Sequence, residues 1–360
     1  MVAKIIKSCV KLRFVIVTTL ALSFSLSSNA ISFKLDSIAE WGKFPRFCVN
    51  VYRWGDKFFN TYDSTYVRGT GTKFNIKLTA DSWLNHYRFI LPNDRLQNDN
   101  RYIDMHSRPS TSMGLYLTYL AVSIGYDINL SSIINGVREG RQRYQLAFNC
   151  ALFGAEVYKE INNVQTRITR FGSMHHLKMP FNGMHSNSWG IDAYYFFNNK
   201  RYSQAAAFNF GKIQTRSQGS FYAGLSIYSQ NYNFDFSNLE EDLKCNLPEE
   251  WEQNHFISKT RNYGIRAGYA YNWVFARRWL MGVSVSPTIG IKHGYTNSSI
   301  RTTSFSMFNH ARLSVVWNAG RWFAGIVGNA NTAIISSRKT LFLGNELSFE
   351  ASVGYRFNIW

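Results

Sequence analysis

In residues 263–273 every second side chain is apolar or aromatic: Tyr263, Ile265, Ala267, Tyr269, Tyr271 and Trp273 alternate with Gly264, Arg266, Gly268, Ala270 and Asn272. A period of two puts the first set on one side of an extended strand and the second on the other, a separation no helix achieves. The pattern recurs. Phe74, Ile76 and Leu78 alternate with Lys73, Asn75, Lys77 and Thr79, and Leu120, Val122, Ile124 and Tyr126 with Ala121, Ser123, Gly125 and Asp127. Tyr144, Leu146, Phe148 and Cys150 face away from Gln145, Ala147 and Asn149. Later runs put Trp189, Ile191, Ala193, Tyr195 and Phe197 on one face, then Phe221, Ala223, Leu225 and Ile227, then Met281, Val283 and Val285, then Ala311, Leu313, Val315 and Trp317. The pattern predicts an all-β chain.

Such alternation suits a soluble sandwich, with the apolar face in a core, or a membrane barrel, with that face toward lipid and the other toward a lumen. Composition helps to choose. The chain has 28 Phe, 21 Tyr and 10 Trp against 17% charged residues, yet its mean hydropathy is −0.23. No apolar run after residue 30 approaches the length of a spanning helix. Aromatic, glycine-rich and polar, without spanning helices, the chain fits the wall of a barrel.

The first 30 residues differ in kind. Lys4, Lys7, Lys11 and Arg13 precede an apolar stretch over 14–26, which ends in Ser28-Asn29-Ala30. A basic leader, a short apolar run and small residues at the boundary describe a cleavable signal peptide. The expected organisation is a signal peptide over 1–30, a periplasmic segment over 31–64 and a barrel over 65–360. In that segment Phe47, Val51, Trp54, Phe58 and Tyr62 share one helical face, which predicts a short amphipathic helix. Cys9 lies in the leader and no cysteine stands at the boundary, so a lipid anchor is not expected. Removing four positive charges lowers the formal charge from +18 to +14. For an exported chain, exposed Lys and Arg suit outer-membrane lipid, above all lipopolysaccharide phosphates, rather than nucleic acid. The barrel-assembly machinery and periplasmic chaperones are the other expected partners. The odd set Cys48, Cys150 and Cys245 predicts neither a disulfide framework nor a zinc site, and no cofactor is expected.

Turn signals at Asn198-Asn199-Lys200, at 275–278 and at Asn318-Ala319-Gly320 alternate with long connections over 80–109, 165–187, 232–258 and 293–302. Short turns at one end and long loops at the other is the asymmetry of an outer-membrane barrel. Thirteen candidate strands emerge, but a single-chain barrel takes an even number. The expectation is therefore a transmembrane antiparallel β-barrel of 12 strands, within a range of 10–14, the uncertain stretches being 110–171 and 202–216. Pro45, Pro92, Pro109, Pro180 and Pro248 fall outside the expected strands, and Pro287 should mark a bulge or a strand end.

At the C-terminus Leu347, Phe349, Ala351, Val353, Tyr355, Phe357 and Ile359 alternate with Ser348, Glu350, Ser352, Gly354, Arg356 and Asn358, and the sequence stops at Trp360. Gly354, Tyr355, Phe357, Ile359 and Trp360 resemble the assembly signal of outer-membrane barrels, although Trp360 is out of phase with Ile359. The stretches Phe197-Asn198-Asn199-Lys200-Arg201-Tyr202-Ser203-Gln204-Ala205-Ala206-Ala207-Phe208 and Arg216-Ser217-Gln218-Gly219-Ser220-Phe221, with the Gly354-Tyr355-Arg356-Phe357 ending, are similar to an uncharacterised Gram-negative outer-membrane barrel family. That family is a domain of unknown function, and the likeness covers most of 45–360. It implies the fold and the outer-membrane location, and it supplies no catalytic residues.

Candidate chemistry is sparse. Ser186 and Ser188 stand one and three residues from His185, so neither shares its strand face as a nucleophile would need. His175, His176 and His185 have no acidic residue between them and no zinc spacing. Asp192 is an isolated carboxylate. The acidic loop holding Asp235, Glu240, Glu241, Asp242, Glu249, Glu250 and Glu252 lacks a calcium-loop spacing. An enzyme is therefore not expected. By strand phase Lys73, Lys77, Arg266, Lys292, Arg312, Glu350 and Arg356 should point into the lumen. There they either pair into a network that fills it or line an anion-attracting pore. The leading expectation is a structural or passive pore-type barrel for small solutes. A lipid- or lipopolysaccharide-modifying enzyme and a surface adhesin using the long loops stand as alternatives.

Overall fold

The computed structural model describes residues 61–91, 101–119, 121–130, 141–172, 174–244, 247–248, 251, 254–296, 302–336 and 340–358. The expected signal peptide, Ile359 and Trp360 lie outside them. So does the expected helix over 47–62, apart from Thr61 and Tyr62, which are not helical.

The strands are, in order, β1 (Val67–Gly69), β2 (Phe74–Leu91), β3 (Arg101–Ser107), β4 (Ser110–Tyr119), β5 (Val122–Asn129) and β6 (Arg141–Asn149). Next come β7 (Phe153–Asn162), β8 (Thr166–Phe171), β9 (Met174–Phe181), β10 (Met184–Phe196), β11 (Lys212–Gln214) and β12 (Gln218–Asp235). The last are β13 (His255–Ala276), β14 (Trp279–Thr296), β15 (Thr302–Ala319), β16 (Trp322–Ser336) and β17 (Leu341–Phe357). Twelve of them, all but β1, β3, β8, β9 and β11, form one antiparallel sheet that closes on itself. The closing pair runs from Leu341 opposite Ile90 to Phe357 opposite Phe74.

The period-two pattern sorts the side chains inside out. Phe221 and Ile265 are each 67% exposed and Leu225 65%, whereas Asn262 and Ser284 on the opposite faces are 1% exposed. An apolar belt on this scale does not persist in water; it matches the hydrocarbon that surrounds a membrane barrel, where closure leaves no unpaired backbone edge. No helix among the described residues is long and apolar enough to cross a membrane, and the strands are what cross it.

Both ends of the barrel sheet, Phe74 and Phe357, lie at the end where tight turns join β4 to β5, β6 to β7, β13 to β14 and β15 to β16. Apart from the stretch between β10 and β12, the long connections gather at the other end, but that expected over 80–109 is largely strand, with β2 continuing to Leu91 and β3 spanning Arg101–Ser107. Another, expected as a loop over 165–187, is instead the β8–β9 hairpin, and Pro180 sits in its β9 strand. The β9 strand is an edge of the sheet, where a missing N–H is tolerated. β8 pairs with β3, and β3 with the upper part of β2, so β3, β8 and β9 form a tier above the short strands β4 to β7. The thirteenth expected strand does not exist as a barrel strand: 202–216 folds inward, as described below. Strands also extend further into the acidic connection than its expected span of 232–258, with β12 reaching Asp235 and β13 starting at His255. Cys150, expected at the end of a strand, is buried in the turn after β6. Pro287 marks neither a bulge nor an end. It lies in mid-β14, where its pairing with β13 drops out for two residues while the register continues unshifted from Arg266–Thr288 to Tyr269–Val285.

Candidate functional site

The lumen is filled from the short-turn end by the chain between β10 and β12. After the turn at Asn198 to Arg201 the chain re-enters the barrel, and Tyr202, Ser203, Ala205, Ala206, Ala207, Phe208 and Phe210 are all buried. A single π-helical turn, Ala205–Asn209, carries the three alanines, and Phe210 ends it in the left-handed region at φ 56°. Small side chains on the plug meet glycines on the wall. A Cβ at Gly282 would stand 2.6 Å from that of Ala207, and one at Gly325 2.8 Å from the Phe210 ring, so only glycine leaves the seat open. Phe208 and Phe210 pack with Leu280, Val316, Phe323 and Val327.

Polar anchors fix this plug. Arg356 donates from Nε (3.2 Å) and Nη2 (2.6 Å) to the Phe210 carbonyl, from Nη1 to Gly320 O (2.8 Å) and from Nη2 to Asn318 Oδ1 (2.6 Å). Its guanidinium also lies 4.5 Å from the Phe323 ring. Asn272 Nδ2 donates to Ser203 O at 2.9 Å, and Arg312 stacks 4.3 Å from the Phe208 ring. From below, β1 pairs with β11, and the Tyr62 hydroxyl lies 3.3 Å from Ser203 Oγ.

The long-loop end is closed by apolar packing. Tyr87, Phe89 and Leu91 of β2, Phe234 of β12, Phe256 of β13 and Phe342 of β17 meet Phe236, Leu243 and Trp251 of the 236–254 connection. Ile103, Met105, Ile168 and Phe181 cover them from the β3–β8–β9 tier. Phe89 is fully buried, with the rings of Phe234, Trp251, Phe256 and Phe342 within 5.3 Å of its own.

Between plug and cap the lumen is ionic. Lys77 donates to Glu350 at 2.6 Å, Arg143 to Glu156 at 3.0 Å and Arg266 to Asp192 at 3.1 Å. Arg141 bridges Glu160 and, at 3.1 Å, Glu346, with its guanidinium 3.2 Å over the Trp83 ring. Tyr116 donates to Asp127 at 2.7 Å, and Thr79 to Asp81 at 3.2 Å. What remains is a cavity of about 190 Å³, lined by Tyr158, Tyr194, Tyr222 and Tyr228 among others. A second space of about 120 Å³ adjoins it through Arg143, Glu156, His310 and Arg312. Both spaces are polar and wide enough to admit water, and among the described residues Asp127 Oδ1 and Arg143 Nε have no hydrogen-bond partner.

Of the residues read from strand phase, Lys77, Arg266, Arg312 and Glu350 sit in this ionic band. Arg356 belongs to the plug seat, and buried Lys292 donates to Ser336 O at 3.1 Å near the capped end. Lys73 stands apart: it precedes β2, and its backbone N–H donates to Asn358 Oδ1 at 2.8 Å. The assembly-signal residues Gly354, Tyr355 and Phe357 lie in the closing strand.

Sequence reasoning did not use Asp81, Asp127, Arg141, Arg143, Glu156, Glu160 and Glu346. The available signal was phase alone, since Asp127 follows Ser123 and Gly125 on a polar face. Asp192 is not isolated, because Arg266 reaches it from two strands away and Ser226 donates to it. Exposed His185 and the half-buried Ser186 and Ser188 occupy opposite faces of β10. Exposed His176 lies on β9, and no group that could hold a metal ion occurs among the described residues.

A family model described as Domain of unknown function (DUF4421) matches residues 61–357. No curated protein matches the sequence. Among solved structures, the outer membrane protease OmpT from Escherichia coli is 8% identical, at a TM-score of 0.36 over 79% of this chain and 97% of that one. The translocator domain of the autotransporter NalP from Neisseria meningitidis is 10% identical, at 0.34 over 80% and 89%. The Pseudomonas putida toluene transporter TodX is 7% identical, at 0.29 over 82% and 94%. Likeness at this level says nothing about activity.

Proposed function

The chain belongs to the family described as Domain of unknown function (DUF4421), and we propose that it is an outer-membrane barrel with a closed lumen, a scaffold rather than a standing pore. The observation that carries this reading is the plug. Its Phe210 carbonyl is gripped by a buried arginine of the last strand, and its Phe208 lies under a second arginine. Outer-membrane placement draws support from the even strand number, the apolar belt and the opposition of short turns to long loops.

Of the two outcomes open to lumenal charge, pairing fits better than an anion-attracting pore. Arg266 has Asp192, and Lys77 has Glu350. Enclosed pairs of this kind are stable only while both partners remain, which favours a fixed filling over a solvated channel. The work of the molecule then falls to its long-loop face and outer wall.

Planar-bilayer recording of the purified, folded protein tests the reading. The expected result is electrical silence over a wide range of voltage and salt. A steady ohmic conductance from the unmodified protein overturns it.

A further inference from the structure

The outer face of the β3–β8–β9 tier is cationic. Exposed Arg108, Arg167 and Lys178 and half-buried Arg170 line an open cleft of about 620 Å³, with His106 and His176 at its sides. The acid in that cleft, Asp104, is engaged by Arg88 at 2.6 and 3.0 Å. Of the cleft's guanidiniums, that of Arg170 lies 4.5 Å from the Tyr102 centroid. The tier's other face, with Ile103, Met105 and Ile168, is buried in the cap, so the charged side chains point outward from the barrel.

Directly below lie the outer faces of β4, β5 and β6. They expose Met113, Leu115, Leu117, Ile124, Ile128 and Leu146, each between 39% and 63%. A ligand spanning both tiers meets apolar side chains first and then clustered cations, at the end of the barrel away from Phe74, Phe357 and the short turns. That order matches one class of molecule in the outer leaflet.

We propose that this cleft binds the phosphorylated saccharide headgroup of lipopolysaccharide, with its acyl chains lying against the wall of β4 to β6. Clustered guanidinium and ammonium donors suit phosphomonoesters, whose charge and three acceptor oxygens they match. The continuous apolar wall selects a lipid over free phosphate. The inference rests on the outer-membrane placement above. Cell fractionation tests that placement, whereas lipid binding in micelles tests the cleft itself.

The experiment uses folded full-length protein in a non-ionic detergent and a fluorescent diphosphoryl lipid A read by anisotropy. Arg167→Glu with Lys178→Glu should weaken binding by roughly tenfold or more, and added salt should weaken the wild-type complex. Lipid A lacking phosphates should bind at least about tenfold more weakly than the diphosphoryl form. Heat-modifiable migration on gels reports whether the double variant folds; if it does not, Lys178→Gln and the salt titration carry the test. Equal binding of dephosphorylated lipid A overturns the proposal. So does displacement by equimolar inorganic phosphate, which marks a free-anion site. Equal affinity for phosphatidylglycerol vesicles overturns it too, marking a general anionic surface.

Discussion

Replacing Arg356 with alanine removes the polar clamp on the plug while leaving its apolar seat. Two of the arginine's N–H groups donate to the Phe210 carbonyl, at 2.6 and 3.2 Å. The others go to Gly320 and Asn318 of the barrel and stay out of the plug's balance. A hydrogen bond from a charged donor contributes about 1.5–3 kcal/mol, and two sharing one acceptor contribute less than twice that, about 2–4 kcal/mol. The population of undocked plug should then rise roughly 30- to 1,000-fold. Burial of Phe208 and Phe210, at about 1.5–3 kcal/mol each, keeps the docked form dominant. The assay is the labelling rate of a cysteine at the buried position 203, introduced as Ser203→Cys with Cys48→Ser, Cys150→Ser and Cys245→Ser, by a membrane-impermeant maleimide. Arg321→Ala, an exposed cation at the same end, should leave the rate unchanged. Equal labelling with and without Arg356 would refute the clamp, and fast labelling of the parent would refute the docked plug altogether.

Two further outcomes follow from the fold. The Asp104 carboxyl is pushed up by burial but pulled down further by the His86 imidazole, 3.9 Å away, and by the hydrogen bonds and charge of Arg88, reaching about 2 against an ordinary 3.8. Its stabilisation of the upper tier is therefore complete above about pH 4 and lost as pH falls toward 2. Amide exchange over Tyr102 to His106 should accelerate in that window, and Asp104→Asn should remove the pH dependence; a flat profile in the wild type contradicts it. Deleting 355–360 removes the pairs of Tyr355, Arg356 and Phe357 with β2 and the plug clamp together. The truncated chain should lose heat-modifiable migration and become extractable with urea, and unaltered heat-modifiability would count against the role given to β17.

The sequence determined what depends on the strand alone. The backbone repeats every two residues wherever it is extended, so Tyr263 to Trp273 declared an apolar and a polar face, and the fold class followed from many such runs. The phase of Arg266 and Glu350 was legible for the same reason. Tertiary structure decided which strands lie side by side and what stands across the lumen, because closure and stagger set those distances. Arg266 meets Asp192 past an intervening strand, and Arg141 reaches Glu346 on β17, pairings that no local period encodes. The residues 202–216 show the limit most clearly. A stretch such as Tyr202-Ser203-Gln204-Ala205-Ala206-Ala207-Phe208 is apolar enough for a wall or a core, and local pattern cannot separate the two. What makes it a plug is the space left by Gly282 and Gly325 and the carbonyl claimed by Arg356, all on strands far away in the chain. The β8–β9 hairpin was hidden likewise: Pro180 is acceptable only because β9 is an edge, and an edge exists only once the sheet has been assembled.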